Sequence, residues 1–512
     1  MTTNSTTTNT TTTTANYARL ILDRLDADEA DHIVCTDSTR GYTAPEFAIR
    51  IRRFRRDLAQ QGIGGGHLIA LVAPNTTDAL AIRYAAGLRG SATVLCPNAD
   101  TPARLNAFLA AIDPHAVVVF DPAVAATVTD PEHRRLILVG GPDGDLRSDR
   151  EPGDDEAENI AVAPSDPCVL VATGGTTGVS KASVRDVAAY LRLIDGPADP
   201  TRRQLVCTPL AYIAQTAADQ TLLAGGVVFL HDTFDPRLVL EAIDHDRITH
   251  LALVEPLLVE LVDCPARPGH DLSSLRAISH VGADAPPELR HRLLTALGPN
   301  VLVHVYGASE FGPACVLAGA DYALDRPDLL GSAGRAIPGV EVRVVDETGT
   351  PLDPGQLGRI EVRSPGAAST YRGSRAESVR FQDDGWFRGS DFGEIDASGY
   401  LRVRGREGDR RMIDGRPTWP VDIENALSSH PAVRYAVAVP ADATSFAAWV
   451  VLAPGSVIDD DELRQHLCAV GGPQFASIPV TSVPTMPVTE QGKPDRHALL
   501  HGVGVTADQP AL

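Results

Sequence analysis

Lysine is almost missing from this chain. Of its 45 lysine and arginine residues, all are arginine except Lys181 and Lys493. Arginine offers a broad planar fork, whereas lysine delivers a compact charge into a narrow space. Both lysines close glycine-containing segments, Thr176-Thr177-Gly178-Val179-Ser180-Lys181 and Thr489-Glu490-Gln491-Gly492-Lys493, so both are expected to act on a crowded anion. Cysteine is sparse too: Cys35, Cys96, Cys168, Cys207, Cys264, Cys315 and Cys468 are scattered without Cys-x-x-Cys spacing. That argues against a zinc site and for a reducing, cytoplasmic setting. No run approaches the ~18 apolar residues of a membrane span, and residues 1–14, threonine with two asparagines and one serine after Met1, lack the charged-then-apolar profile of a signal peptide. With nothing to bury, that tract is expected to be a disordered tail. Basic charge is outnumbered, 66 acidic residues giving a net −21. This argues against nucleic acid or an anionic membrane as a partner, yet a local nest of N–H groups can still hold one polyanion.

What is present is a soluble, globular composition, 43% hydrophobic and 22% charged over 512 residues, enough for several cores. Apolar β-rich runs alternate with amphipathic segments. A capping box at Thr43 to Glu46 opens a helix to about Gln61, and His67 to Ala73 reads as a strand. Asn75-Thr76 caps a second helix, Thr93 to Cys96 is a strand, Thr101 opens a third helix and Ala116 to Phe120 is a strand. Strand, helix, strand with short turns predicts parallel sheet covered by helices. The acidic stretch 141–158 reads as a surface linker. Strand and helix pairs then resume, from Cys168–Ala172 to Val301–Val305. From about Gly339 short alternating strands predict a small distorted antiparallel barrel, and beyond Gly405 a separate strand and helix pattern predicts a small α+β domain. The fold expected is thus α/β: a large domain over 15–404 and a small mobile one over 405–512, one lysine on each.

Thr173-Gly174-Gly175-Thr176-Thr177-Gly178-Val179-Ser180-Lys181 follows a predicted strand. Its glycines and hydroxyls suit phosphate, though the spacing is not the Walker one and a flexible turn reads the same way. Other segments, in order, decide the matter: Pro209-Leu210-Ala211-Tyr212, Asp271 to Arg276 leading into Gly282-Ala283, Tyr306-Gly307-Ala308-Ser309-Glu310, Gly331 to Gly339, Gly385 to Asp391, Gly405-Arg406, and Pro487 to Lys493. Together they resemble the adenylate-forming superfamily of acyl- and aryl-CoA ligases, luciferases and peptide-synthetase adenylation domains.

The resemblance implies an ATP- and Mg2+-dependent ligase that joins a small-molecule acid to AMP, releases pyrophosphate, and passes the acyl group to CoA or another thiol. It implies that Thr173 to Gly178 and Lys181 hold the β- and γ-phosphates, with Thr176 close to the chemistry. Gly282, Ala283, Asp284, Tyr306, Gly307 and Ala308 would enclose adenine, Ser309 would reach the α-phosphate, and Glu310 would hold the metal. Asp391, acceptor-only, would take the ribose diol with Arg406 beside it, and Lys493 would bridge the incoming carboxylate and the α-phosphate. Tyr212, Val281, Val305, Gly307 and Cys315 would line the acid pocket.

The sequence departs from the family in two places. Val281 stands where the family has a first glycine, which narrows the pocket towards small or planar acids, and Tyr212 replaces a histidine and brings a hydroxyl that wants a polar partner on the ligand. In the hinge, Gly408 stands where Asp or Lys is usual, Arg411 where an apolar residue is expected and Pro417 where a base is common, while Gly415 is retained. The acceptor is thereby left open between CoA, a carrier-protein thiol, an amine, and nitrite activated to diazotise an aryl amine. An inactive nucleotide-binding scaffold would be expected to lose Lys493, Glu310 or Asp391, and all three are present. A monomer or homodimer fits equally.

Overall fold

The computed structural model describes residues 16–28, 31–97, 101–129, 134–140, 144–147, 160–173, 181–283, 285–374 and 376–502. The expected tail, most of the acidic linker, Gly174 to Ser180 of the glycine-rich loop and Asp284 lie outside them.

Local sequence sets the helices. Glu46 Oε2 accepts from the backbone N of Thr43 at 3.0 Å, opening the helix Ala44–Gln60, whose Phe47, Ile51, Phe54 and Leu58 recur at helical spacing and are buried. At the next helix, Thr77–Leu88, the expected double cap divides: Thr76 takes the N-cap and Asn75 turns elsewhere, as described below. That helix is buried on every side, wedged where the two main sheets meet.

Among the described residues the first sheet runs Thr370–Arg372, Lys181–Asp186, Pro167–Thr173, Ala92–Leu95, Leu68–Val72, Ala116–Val119, Arg135–Leu138. Its last five strands pair parallel, as the alternating pattern predicts. Pro167–Thr173 and Lys181–Asp186 pair antiparallel, with Thr173 opposite Lys181, so the glycine-rich loop joins the two arms of a hairpin instead of leading into a crossover helix. The second sheet runs Arg335–Ala336, Gly312–Leu317, Leu302–Ala308, Ala277–His280, His250–Leu253, Arg203–Val206, Val227–Leu230, Ile33–Thr36, Gly41–Thr43. Residues of both sheets share one apolar cluster, Ile69 and Val118 from the first with Val34, Val206 and Val228 from the second.

That core holds a polar knot. Arg83 Nη1 donates to both carboxylate oxygens of Asp219 at 2.8 Å, and Tyr84 and Tyr190 donate to the same carboxylate at 2.8 and 2.6 Å. Both ions are wholly buried, and the three donors supply what a desolvated carboxylate requires.

The expected barrel takes the form of a four-stranded antiparallel sheet, Glu341–Val345, Gly358–Arg363, Phe387–Ile395, Leu401–Arg406. Its last strand reaches Arg406, opposite Asp391, so this sheet carries the chain slightly past the expected domain boundary. A short hairpin follows, Arg411–Ile413 with Arg416–Thr418. Its turn residues Asp414 and Gly415 have φ of 48° and 75°, the left-handed pair that two-residue hairpins demand. The small body then packs the helices Pro420–Ser428 and Asp460–Gly471 on the sheet Val433–Pro440, Phe446–Leu452, Val480–Ser482. It docks on the helix Glu255–Asp263 of the large body: Tyr435, Val437 and Leu499 join the cluster of Leu257, Leu258 and Leu261, and Arg434 Nε contacts Asp263 Oδ2 at 2.6 Å.

Candidate active site

The loop's described ends, Thr173 and Lys181, mark one wall. Thr173 Oγ1 is buried and has no hydrogen-bond partner among the described residues, a condition that a bound anion would relieve. Gly174, Gly175, Thr176, Thr177 and Gly178 are outside those residues. Lys181, only 6% exposed, holds Nζ 4.2 Å from the centre of the Tyr371 ring. Burial lowers its pKa against the opposing pull of Glu310.

Tyr306 to Glu310 form a hairpin. The strand Leu302–Ala308 turns into Gly312–Leu317 with a register shift at Tyr306/Gly307, and a β-carbon on Gly307 would lie 2.5 Å from the Gly312 carbonyl oxygen. Only glycine permits that approach. The turn is fastened from two sides: Ser183 Oγ donates to the carbonyl of Ser309 at 2.9 Å, and the backbone N of Ala368 donates to that of Glu310 at 2.7 Å. The Glu310 side chain accepts from the Tyr371 hydroxyl at 2.6 Å. A single carboxylate with a second oxygen available suits a magnesium ion whose other ligands are phosphate and water; among the described residues no group of three metal-binding side chains occurs.

Asp391 and Arg406 face each other across neighbouring strands, Arg406 Nε 3.8 Å from Asp391 Oδ1, and the Tyr306 hydroxyl donates to Asp391 Oδ2 at 2.9 Å. Burial raises the Asp391 pKa, and Arg406 and Tyr306 counter it. These two expected nucleotide contacts and the aromatic meant to face adenine therefore form one group.

Lys493 comes to this group from the small body. Gly282 has φ +87°, and a β-carbon there would sit 2.9 Å from Cε of Lys493. The lysine loop is a tight turn, the backbone N of Thr489 donating to the Lys493 carbonyl at 2.7 Å and that of Gly492 to Thr489 at 2.8 Å. Gly492 has φ +74° and lies so close to Leu257 that a β-carbon would meet its Cδ1 at 2.8 Å. Burial and the charge of Arg406 lower the Lys493 pKa to about 8, with Glu310 opposing.

The pocket wall departs from expectation. Tyr212 is the one non-helical residue in the π-turn Leu210–Ala214, and its hydroxyl donates to Glu490 Oε1 at 2.5 Å. The polar partner expected on the ligand is thus a residue of the lysine loop. Val281, just past the strand Ala277–His280, and Val305, in the middle of Leu302–Ala308, are half-buried. Cys315 is 1% exposed, in the cluster of Phe311, Ile360 and Phe387 under the antiparallel sheet.

Three residues escaped the sequence reading. Tyr371 orients Glu310 and lies beneath Lys181, but comes from a three-residue strand with no motif. Glu490 lies inside the Pro487 to Lys493 motif, where its own charge was the available signal. Asn75 accepts from the backbone N of Leu210 and donates to the carbonyls of Thr208 and His231, each at 3.0 Å, so it pins the Tyr212 turn.

A hairpin loop, a lone carboxylate, a buried acid beside a tyrosine, and a lysine brought by a second body fit the two-body α/β enzymes that close over a nucleotide. The chain belongs to the AMP-binding enzyme family, which matches residues 22–372, with the C-terminal domain of AMP-binding enzymes matching residues 422–493; it is an adenylate-forming enzyme. Feruloyl-CoA synthase of Amycolatopsis sp is 29% identical over 443 residues, 83% of this chain and 86% of that protein. Indoleacetate–CoA ligase of Aromatoleum aromaticum is 33% identical over 290 residues, 55% and 56% of the two. The structure of amide bond synthetase McbA from Marinactinospora thermotolerans matches with a TM-score of 0.83 and 28% identity, covering 95% of this chain and 99% of that one. No helix among the described residues is long and apolar enough to cross a membrane.

Proposed function

We propose that this enzyme is an AMP-forming ligase that activates a small or aryl carboxylic acid with ATP, and that Lys493, Glu310 and Asp391 carry the reaction. The observation that supports it most is the seating of Lys493 against Gly282, which brings a cation from one body to the glycine edge of the other. The acid's carboxylate would attack the α-phosphate of ATP and pyrophosphate would leave. Two anions must meet, and the Lys493 ammonium, already desolvated, offsets the charge that gathers between them. Asp391, kept in place by Tyr306, would accept the ribose hydroxyls. Glu310, oriented by Tyr371, would hold Mg2+, which when bound neutralises phosphate charge. Since the Tyr212 hydroxyl is engaged by Glu490, the wall offers the acid a ring face and aliphatic Val281 and Val305, which favours a planar, apolar ring.

The test is ATP–pyrophosphate exchange with ferulic and indoleacetic acids among a panel of aryl acids. Lys493→Ala should remove exchange and retain nucleotide binding; exchange at the level of the unaltered enzyme would overturn the assignment.

A second reading concerns the acceptor. The feruloyl- and indoleacetate-forming relatives favour CoA, whereas the hinge and the likeness to an amide bond synthetase favour an amine. Arg411 donates to the carbonyls of Asp442, Gly408 and Arg410, so it braces the turn instead of facing a passing thiol. Release of AMP measured with CoA, with a carrier protein, with amines, and with nitrite plus an aryl amine separates these acceptors.

A further inference from the structure

Of the contacts that bind the small body to the large one, Arg404 to Asp422 and Trp419 to Arg406 lie where the chain passes between the bodies, and of three others one differs in place from the rest. Arg434 to Asp263 and Tyr435 to Glu255 Oε2, at 2.6 and 3.2 Å, lie on the outer helix Glu255–Asp263. The third joins Tyr212 to Glu490 at 2.5 Å, where the acid pocket meets the lysine loop.

Both ends of this contact are braced. On the pocket side, Asn75 holds the turn that carries Tyr212 through Leu210, Thr208 and His231, and the backbone N of Asn75 is itself held by Asp232 at 3.2 Å. On the loop side, Glu490 lies in the same turn as Lys493, closed by hydrogen bonds between Thr489 and Lys493 and between Gly492 and Thr489. A displacement of Glu490 is therefore passed to Lys493 with little slack. Resting on the proposed adenylation reaction, we infer that Tyr212 and Glu490 are positioning residues: their hydrogen bond registers the Lys493 loop against the acid pocket for the adenylating half-reaction, and it must break before the small body can turn to serve the acceptor.

A double-mutant cycle tests this, with Tyr212→Phe, Glu490→Ala, Glu490→Gln and the Tyr212→Phe/Glu490→Ala pair, using the aryl acid that supports the fastest exchange. Each of Tyr212→Phe and Glu490→Ala is expected to lower kcat for ATP–pyrophosphate exchange about tenfold, the double variant being no worse than either alone, since partners in one contact are non-additive. KM for ATP should stay within about twofold, because the lost contact acts on the lysine and not on ground-state nucleotide binding. Glu490→Gln keeps an acceptor oxygen and should recover most of the rate, which a general loss of packing would not allow. Transfer of preformed acyl adenylate to hydroxylamine should be undiminished in all four. Additive losses, equal damage from Gln and Ala, or a parallel loss of hydroxylamine transfer would overturn the inference. Such a result beside an inactive Lys493→Ala variant would leave the adenylation reading standing, whereas an active Lys493→Ala would remove that reading itself.

Discussion

Tyr371 serves two charged groups at once: its hydroxyl donates to Glu310 at 2.6 Å while its ring lies 4.2 Å below the Lys181 ammonium. A phenol can do both because edge and face are separate surfaces, the face attracting a cation. Tyr371→Phe separates the two. It keeps the ring under Lys181 and frees Glu310 to rotate. Residues that orient a metal ligand are worth roughly 10–100-fold in metal affinity, so the Mg2+ concentration for half-maximal exchange should rise by about tenfold, read from a magnesium titration.

The pH profile reports on Lys493. Burial disfavours its charged form, taking the pKa from 10.5 to about 8, so the closed enzyme carries the ammonium below about pH 8 and loses it above. If that charge offsets the meeting of two anions, kcat/KM for exchange falls as pH rises through about 8. Lys493→Arg, whose charge persists, should have no such limb at whatever rate it retains. Opening returns Lys493 to water and to its ordinary pKa, so between about 8 and 10.5 the open form binds a proton that the closed form does not. Closure is thus favoured by rising pH over that window, and the activity loss reflects a missing proton in a closed enzyme; interdomain scattering measured across the window checks this.

Asp391 should discriminate sugars. A buried carboxylate that accepts ribose hydroxyls is left under-satisfied by a sugar that lacks one. The enzyme should prefer ATP to 2′-deoxy-ATP by about 10–100-fold in kcat/KM, the range of hydrogen bonds to a charged group. Asp391→Asn should lose most of that preference, measured by exchange with each nucleotide.

The knot in the large body carries a stability prediction. Asp219→Ala leaves Arg83 charged and wholly buried without its partner, which costs about 3–5 kcal/mol. Urea unfolding of the large body should shift accordingly, while the small body's transition, if resolved, stays put.

Much of this architecture was legible in the sequence, and the reasons differ by element. Val227–Leu230 and Pro236–His245 follow from apolar period and a proline at the helix start, signals carried within a few residues. The hairpin pairing of Thr173 with Lys181 was not legible, because whether a strand returns beside its predecessor or crosses over depends on neighbours distant in sequence. The site divides the same way. Glu310, Asp391 and Lys493 stand in recognisable segments. Tyr371 and Asn75 act through contacts spanning 61 and 135 residues, and no local pattern encodes such distances. Cys315 is a related case: its strand was recognisable, but its burial against Ile360 and Phe387 depends on the antiparallel sheet packed beside it.

The scarcity of lysine turns the two bodies into a self-reporting system. Among its side chains the protein offers an amine-reactive reagent just two amines. Lys181 is sealed under Tyr371 and serves as a slow internal reference. Lys493 reacts at a rate set by how often the small body lifts away and by its lowered pKa. Acylation at these two positions, located by mass spectrometry of the peptides that carry them, therefore times the opening of the enzyme without an introduced label, and any ligand that holds the bodies together will be seen as protection of Lys493 alone.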